Sequence, residues 1–180
     1  MQYAIELFFH EEMEKKLFHY AQRIAEEKFS TKYLEWKTRP HITLAYFHDV
    51  DEKKCIEKIK LFTQKHKPMP AHIASVGMFP DTKTIFVSPI MTGGMYQFQK
   101  ELHESLCDFD TSGWEWYSPD RWVPHCTIAL MGGDDEEAYI SACDLVLREF
   151  EKINGEFSSI GLVKISFPVE EIFVSELKGE

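Results

Sequence analysis

Two stretches decide how this chain folds: Arg39-Pro-His-Ile-Thr-Leu-Ala45 and Val123-Pro-His-Cys-Thr-Ile-Ala129. They align residue for residue at an offset of 84. At the same offset Ser75-Val-Gly77 matches Ser159-Ile-Gly161, and Ile85-Phe-Val-Ser88 matches Ile172-Phe-Val-Ser175 at an offset of 87. Composition alone would place P-H-x-T in this chain roughly 0.02 times. Two copies inside a longer match are therefore a repeat, and a repeat sets architecture before any local reading does.

Working outward, each half reads strand, helix, loop, P-H-x-T strand, helix, strand. The first half has a strand Tyr3–Phe9 and an amphipathic helix from Glu11 to Phe29 with Met13, Leu17, Tyr20, Ala21, Ile24 and Ala25 on one face. The strand His41–Phe47 follows, then a helix that Asp49 and Glu52 would start, then the strand Ala71–Phe79. The second half repeats this with a strand Thr84–Ile90, a helical stripe of Met95, Phe98, Leu102, Leu106 and Phe109, and the strand His125–Leu130. Asp134 with Glu137 reads as the start of a helix running to about Phe150, before strands Glu156–Phe167 and Glu171–Leu177. No linker or low-complexity segment intervenes. The expectation is an α+β fold: one domain over 1–180, a bilobal pseudo-twofold duplication with halves of about 1–83 and 84–180. Two mainly antiparallel sheets, flanked by helices, would surround a central cleft.

Alternate residues of a strand share a face. His41 and Thr43 therefore face one way and Ile42, Leu44 and Tyr46 the other; His125 and Thr127 likewise oppose Cys126, Ile128 and Leu130. With the apolar sets against helices, the twofold brings two imidazoles and two hydroxyls into one cleft, close enough to bracket a phosphate. Histidine exchanges protons near neutrality, and a pair can serve as base and acid in one displacement. Threonine hydroxyls donate to phosphate oxygens. That set suits phosphodiester chemistry without a metal or cofactor. Arg39 and Arg121 share the strand parity of the histidines, if the strands reach back that far, and would add bidentate phosphate contacts. The remaining histidines, His10, His19, His48, His66, His72 and His103, have no ligand spacing and read as surface or packing residues.

All four tryptophans, Trp36, Trp114, Trp116 and Trp122, lie in the loops before the two motifs, with Tyr33 and Tyr117 beside them. Trp36, Trp114, Trp116, Tyr117 and Trp122 are candidates to stack on a base; the competing role is burial at the sheet ends. Gly93-Gly94 and Gly132-Gly133 lack the G-K-[ST] ending of a phosphate loop and read as turns.

The 180 residues carry 20 basic and 30 acidic side chains, unevenly: net +3 over residues 1–100 and −13 over 101–180. Long nucleic acid is thus a poor partner, because its binding rests on phosphate neutralisation. A small nucleotide or a short RNA end in a locally positive cleft is the partner expected. The longest uncharged run, Thr84 to Gln99, holds Pro89 and Gly93-Gly94 and falls short of a membrane span. The start of the chain lacks the look of a secretory signal, and four cysteines without C-x-x-C read as reduced thiols. A cytoplasmic monomer is expected.

The paired P-H-x-T strands, their spacing and the repeat resemble the 2H phosphoesterase superfamily, in particular its bacterial 2′-5′ RNA ligase-like branch, over essentially the whole chain. That resemblance implies a bilobal fold and metal-independent chemistry on cyclic or 2′-5′ phosphodiesters. It makes His41 and His125 the acid–base pair and Thr43 and Thr127 the phosphate holders. By analogy with its cyclic phosphodiesterases, His125 would activate water and His41 protonate the leaving oxygen. The leading expectation is hydrolysis of a 2′,3′-cyclic phosphate. The alternatives are 2′-5′ RNA ligation at the same site and a non-catalytic nucleotide or RNA-end binding module.

Overall fold

The computed structural model describes residues 2–110, 113, 115–132 and 135–179. In chain order the elements are β1 (Tyr3–Phe9), α1 (Glu11–Glu26), α2 (Lys32–Glu35), β2 (His41–Phe47), α3 (Glu52–Thr63), β3 (Met69–Phe79) and β4 (Thr84–Pro89). Then come α4 (Gly93–Ser105), β5 (Cys126–Leu130), α5 (Glu136–Glu149), β6 (Ile153–Lys164) and β7 (Glu170–Glu176). The fold is α+β, and every strand pairing is antiparallel.

The strands join in one sheet rather than two. Their order is β2-β1-β6-β3-β4-β5, with β7 on β6. The order maps onto itself when β2 exchanges with β5, β1 with β4 and β6 with β3. The centre is the short ladder of Met69–Ile73 against Ile153–Phe157, where long strands β3 and β6 join the two parts. The third sequence match does not fall on equivalent strands. β4 lies between β3 and β5, whereas β7 forms an outer strand on β6. What repeats there is a hairpin: β4 follows β3 as β7 follows β6.

Apolar spacing explains the core. Met13, Leu17 and Ile24 of α1, Ile59 of α3 and Leu102 of α4 are buried in one cluster with Leu7, Ile42, Leu44, Ile85, Cys126, Ile128 and Leu162 of the sheet. A smaller cluster of Ala4, Phe8 and Val163 sits apart from it, with Ile165 and Val169 against it. Helix starts differ from expectation by one or two residues. The cap of α3 is Asp51, accepting from Lys54 N, not Asp49. The cap of α5 is Asp135, accepting from Ala138 N; Asp134 lies outside the described residues. Spacing from a cap to the next acidic residue cannot separate neighbouring aspartates, because only the one whose carboxylate reaches the third N–H caps. Gly93 and Gly94 open α4 behind the cap Thr92, rather than forming a free turn.

Each motif strand contains a bulge, which sequence parity did not anticipate. In β2, Ile5 pairs with Ala45 and Glu6 with Thr43, so Leu44 is the extra residue. In β5, Ile85 pairs with Ala129 and Phe86 with Thr127, so Ile128 is extra. Alternation restarts after each bulge. Tyr46 and Leu130, expected on the helix-packed face, therefore turn to the face of Thr43 and Thr127, and Ala45 and Ala129 are buried instead.

The matched glycines also acquire a reason. A Cβ on Gly77 would fall 2.3 Å from the Phe86 ring, and one on Gly161 would fall 2.6 Å from the Phe8 ring and 3.0 Å from the Phe173 carbonyl oxygen. Phe8 is fully buried and cannot yield. Gly161→Ala is expected to destabilise the fold by about 1–3 kcal/mol through overpacking, read as a lower urea midpoint with unchanged slope. Gly93→Ala, where a Cβ meets nothing within 4 Å, should change stability by less than about 0.5 kcal/mol.

Candidate active site in the cleft

Both motif strands stand at the ends of the strand order, yet they come back into contact with each other. Their outer edges do not join as a ladder. Side chains from elsewhere in the chain supply the missing partners. The Trp122 indole N–H donates to the Thr43 carbonyl at 2.9 Å. The Leu44 carbonyl, released by its bulge, accepts from His103 Nε2 at 2.8 Å and from Gln99 Nε2 at 3.4 Å. On the other strand, Ser30 Oγ donates to the Leu130 carbonyl at 2.8 Å. Donors on α4 and the loop before β5 thus hold β2, and a donor just past α1 holds β5.

A cavity of about 180 Å³ opens between these strands. It is lined by His41, Thr43 and Tyr46 of β2, Thr127 and Leu130 of β5, Glu6 of β1, and by Trp36 and Tyr117 from the loops, among others. Larger surface depressions exist, such as one of about 550 Å³ beside Lys15, Lys16, His19 and Lys152, which holds none of the motif histidines or threonines. His125 is half-buried two residues before Thr127, with its ring 4.9 Å from that of Phe79 and 5.3 Å from that of Phe86.

Both histidines are anchored through Nδ1 to a backbone carbonyl. His41 Nδ1 lies 2.6 Å from the Arg39 carbonyl oxygen, and His125 Nδ1 lies 2.7 Å from the Val123 carbonyl oxygen. A carbonyl only accepts, so each Nδ1 carries a hydrogen and each Nε2 is the nitrogen left to exchange a proton. The acceptor in both cases is the residue before the motif proline. Proline biases that residue towards extended geometry, which is why P-H recurs as a unit.

Burial lowers the proton affinity of both rings. For His41, desolvation dominates against the bond to Arg39 O; for His125, desolvation dominates and the charge of His41 adds to it. His125 therefore senses the charge of His41. Burial pushes the Cys126 thiol, between His125 and Thr127, up to about 12, so it stays protonated and is no nucleophile.

Other expected residues fall elsewhere. The Arg39 guanidinium lies 4.2 Å over the Phe8 ring, bound to Glu14 at 2.6 Å and Glu171 at 3.5 Å, and does not line the cavity. Arg121 is exposed on Glu115 at 3.1 Å; β5 starts only at Cys126, so strand parity never reaches it. Trp122 is 8% exposed and committed to the Thr43 carbonyl, which leaves no face for a base. Trp116 is exposed and away from the cavity. Trp114 lies outside the described residues. Trp36 and Tyr117 do line the cavity; Tyr117 stacks on Tyr46, and Trp36 meets Phe167 edge-on at 5.6 Å. Sequence reading missed Glu6, a carboxyl in a strand whose seven residues are all buried. Its one signal was the interruption of that apolar run.

Among the described residues, no group of three or more His, Cys, Asp or Glu could hold a metal ion. No described helix is long and apolar enough to cross a membrane.

The fold has solved relatives. Protein TT0787 of Thermus thermophilus superposes with a TM-score of 0.65 at 16% identity, over 100% of both chains. Escherichia coli LigT complexed with 3′-AMP gives 0.62 at 13%, over 98% of this chain and 97% of that one. A structure described as a phosphoesterase gives 0.58 at 11%, over 98% of both. At these identities the likeness shows the fold. No curated protein sequence matches the chain. A sequence model of the 2′-5′ RNA ligase superfamily matches residues 13–167, a span that takes in both motif strands and most of the sheet, and the chain belongs to that superfamily of 2H phosphoesterases.

Proposed function

We propose that this protein is a metal-independent phosphodiesterase that opens 2′,3′-cyclic phosphates or 2′-5′ phosphodiesters of nucleotides or short RNA ends. His41 and His125 form the acid–base pair, and Thr43 and Thr127 hold the phosphate. In this reading the chain is one domain with halves of about 1–83 and 84–180. The observation that carries it is a cavity lined by His41, Thr43 and Thr127 from both motif strands, with His125, outside that lining, two residues before Thr127, and each histidine tied at Nδ1 so that Nε2 is left for proton transfer.

Water enters opposite the leaving oxygen. His125 Nε2 takes a proton from it as the water oxygen bonds to phosphorus. The phosphorus–ester oxygen bond breaks, and His41 Nε2 delivers a proton to the departing oxygen. The threonine hydroxyls donate to the non-bridging oxygens, where charge accumulates. About 180 Å³ accepts a phosphate and its ester oxygens but is below the roughly 300 Å³ of a drug-sized pocket. The rest of a nucleotide would lie across Trp36 and Tyr117 at the rim. LigT, with which this chain shares its fold, carries 3′-AMP, ATP or NADP+ in its structures, and that supports a small-nucleotide ligand. The arginines seen on Glu14 and Glu115 are left out of the phosphate site. Ligation is the reverse reaction at the same residues, and the family's description favours testing it by supplying a 5′-hydroxyl acceptor.

His41→Ala or His125→Ala should each lower kcat on 2′,3′-cyclic nucleotides by about 10²–10⁴-fold, the usual weight of one general acid or base. Thr43→Ala and Thr127→Ala should slow the reaction through lost charge stabilisation at phosphate while both histidines still titrate. If neither histidine variant is slowed, the reading fails.

Turnover should survive excess chelator. Loss of activity that a divalent ion restores would place the protein in a different mechanistic class.

The pH–rate profile should be bell-shaped. A base whose proton affinity is lowered stays neutral to lower pH, so the acid limb, assigned to His125, should lie below the ordinary histidine value of about 6.5. A limb above that value would contradict the burial of His125.

A further inference from the structure

The two motif strands match, but what lies beneath them does not. In the β1–β2 ladder Glu6 stands opposite Thr43, while in the β4–β5 ladder Phe86 stands opposite Thr127. A phenyl ring therefore lies against His125 where the other half sets a carboxyl against His41. Glu6 Oε1 is 3.3 Å from His41 Nε2, the nitrogen that the Arg39 carbonyl leaves free. Glu6 is 5% exposed and lines the same cavity as His41, Thr43 and Thr127.

A carboxyl buried this deeply is costly unless it is neutral or paired. The groups facing it come from several strands, a helix and two loops. Glu171 of β7 opposes its charge and Arg39 favours it, but Arg39 is already bound to both Glu14 and Glu171. Tyr33 of α2, Tyr117 of the long loop and the Cys126 thiol of β5 also sense Glu6, and burial keeps all three protonated. His41 is the partner left.

We propose that Glu6 and His41 hold one proton between them at neutral pH, so that this pair is the proton donor of the site and His125 is left as the base. The proposal rests on the phosphodiesterase reading of the cleft. Burial holds the Glu6 carboxyl well above the usual carboxylate range and depresses the His41 ring. Two such groups in contact titrate as a unit, and the last proton leaves the pair at higher pH than it would leave a buried imidazole alone. Beside His125 lie the rings of Phe79 and Phe86, and among the described residues no carboxylate is ion-paired with it. In a turnover the pair's proton goes to the leaving oxygen and the water's proton to His125. Exchange with solvent then returns one proton to the pair and removes one from His125. Glu6 acts through His41 and is a positioning residue.

The test is the pH–rate profile of Glu6→Gln. Its alkaline limb should move down by about one pH unit or more, the size expected for losing a carboxylate partner at this distance, while the acid limb stays in place. Most of the loss near pH 8 should be recovered on a substrate with an activated leaving group, which needs no acid. Glu6→Asp, which keeps a carboxyl, should place the limb nearer to wild type. An unmoved alkaline limb, or an equal loss on both substrates, overturns the proposal. If the wild type turns over no cyclic phosphate at all, the phosphodiesterase reading has failed and the pair is still decided by NMR of the His41 ring. A ring transition above about pH 6.5 in the wild type that moves down in Glu6→Gln supports the shared proton, and equal midpoints overturn it. Should the glutamine variant not fold, a wild-type His41 ring with no transition above the ordinary histidine range overturns it.

Discussion

The cleft depends on how two edge strands satisfy their outer backbone groups. An exposed strand edge invites pairing with another chain, and a buried one must find partners. Here β2 and β5 meet without forming a ladder, and donors from Trp122, His103, Gln99 and Ser30 take the carbonyls of Thr43, Leu44 and Leu130. A ladder would have zipped the two strands together and closed the space between His41 and Thr127. Side-chain capping fixes their approach and leaves a cavity of about 180 Å³. The bulges serve the same end, because they release the Leu44 carbonyl and turn Tyr46 and Leu130 towards that cavity.

The frame is close to symmetric, and its lining is not. Each motif histidine bonds at Nδ1 to the carbonyl before its proline, and each matched glycine makes room for a phenyl ring. Beneath this shared scaffold one half places Phe86 and the other Glu6. Identical imidazoles in identical tautomers would have no reason to differ in protonation. In the proposed reaction a displacement at phosphorus needs one proton acceptor and one proton donor, and a carboxyl on one side with aromatic rings on the other would supply that difference.

The misplaced expectations share a cause. Arg39 does lie on the His41 face, but Glu14 and Glu171, distant in sequence, hold its guanidinium over Phe8. Trp122 was one of several aromatics near a motif, and its indole N–H is spent on a backbone carbonyl of the opposite strand. Tyr46 changed face because a single extra residue inverts alternation, and nothing in Thr-Leu-Ala or Thr-Ile-Ala announces a bulge. Parity, proximity to a motif and composition are local signals. They report which residues are available, whereas long-range partners decide which are used.

The sequence by itself determined the α+β class and the alternation of strands and helices, and singled out His41, Thr43, His125 and Thr127 as candidates, because strand period and a motif repeated at an offset of 84 are properties of neighbouring residues. The tertiary structure alone decided that the strands form one sheet ordered β2-β1-β6-β3-β4-β5, that the motif strands are pinned edge to edge by side chains, and that both arginines turn to carboxylates instead of the cavity. It also decided that Glu6 reaches His41 across 35 residues of chain. These follow from ladder register and burial, which bring together groups whose separation along the chain carries no trace of their meeting.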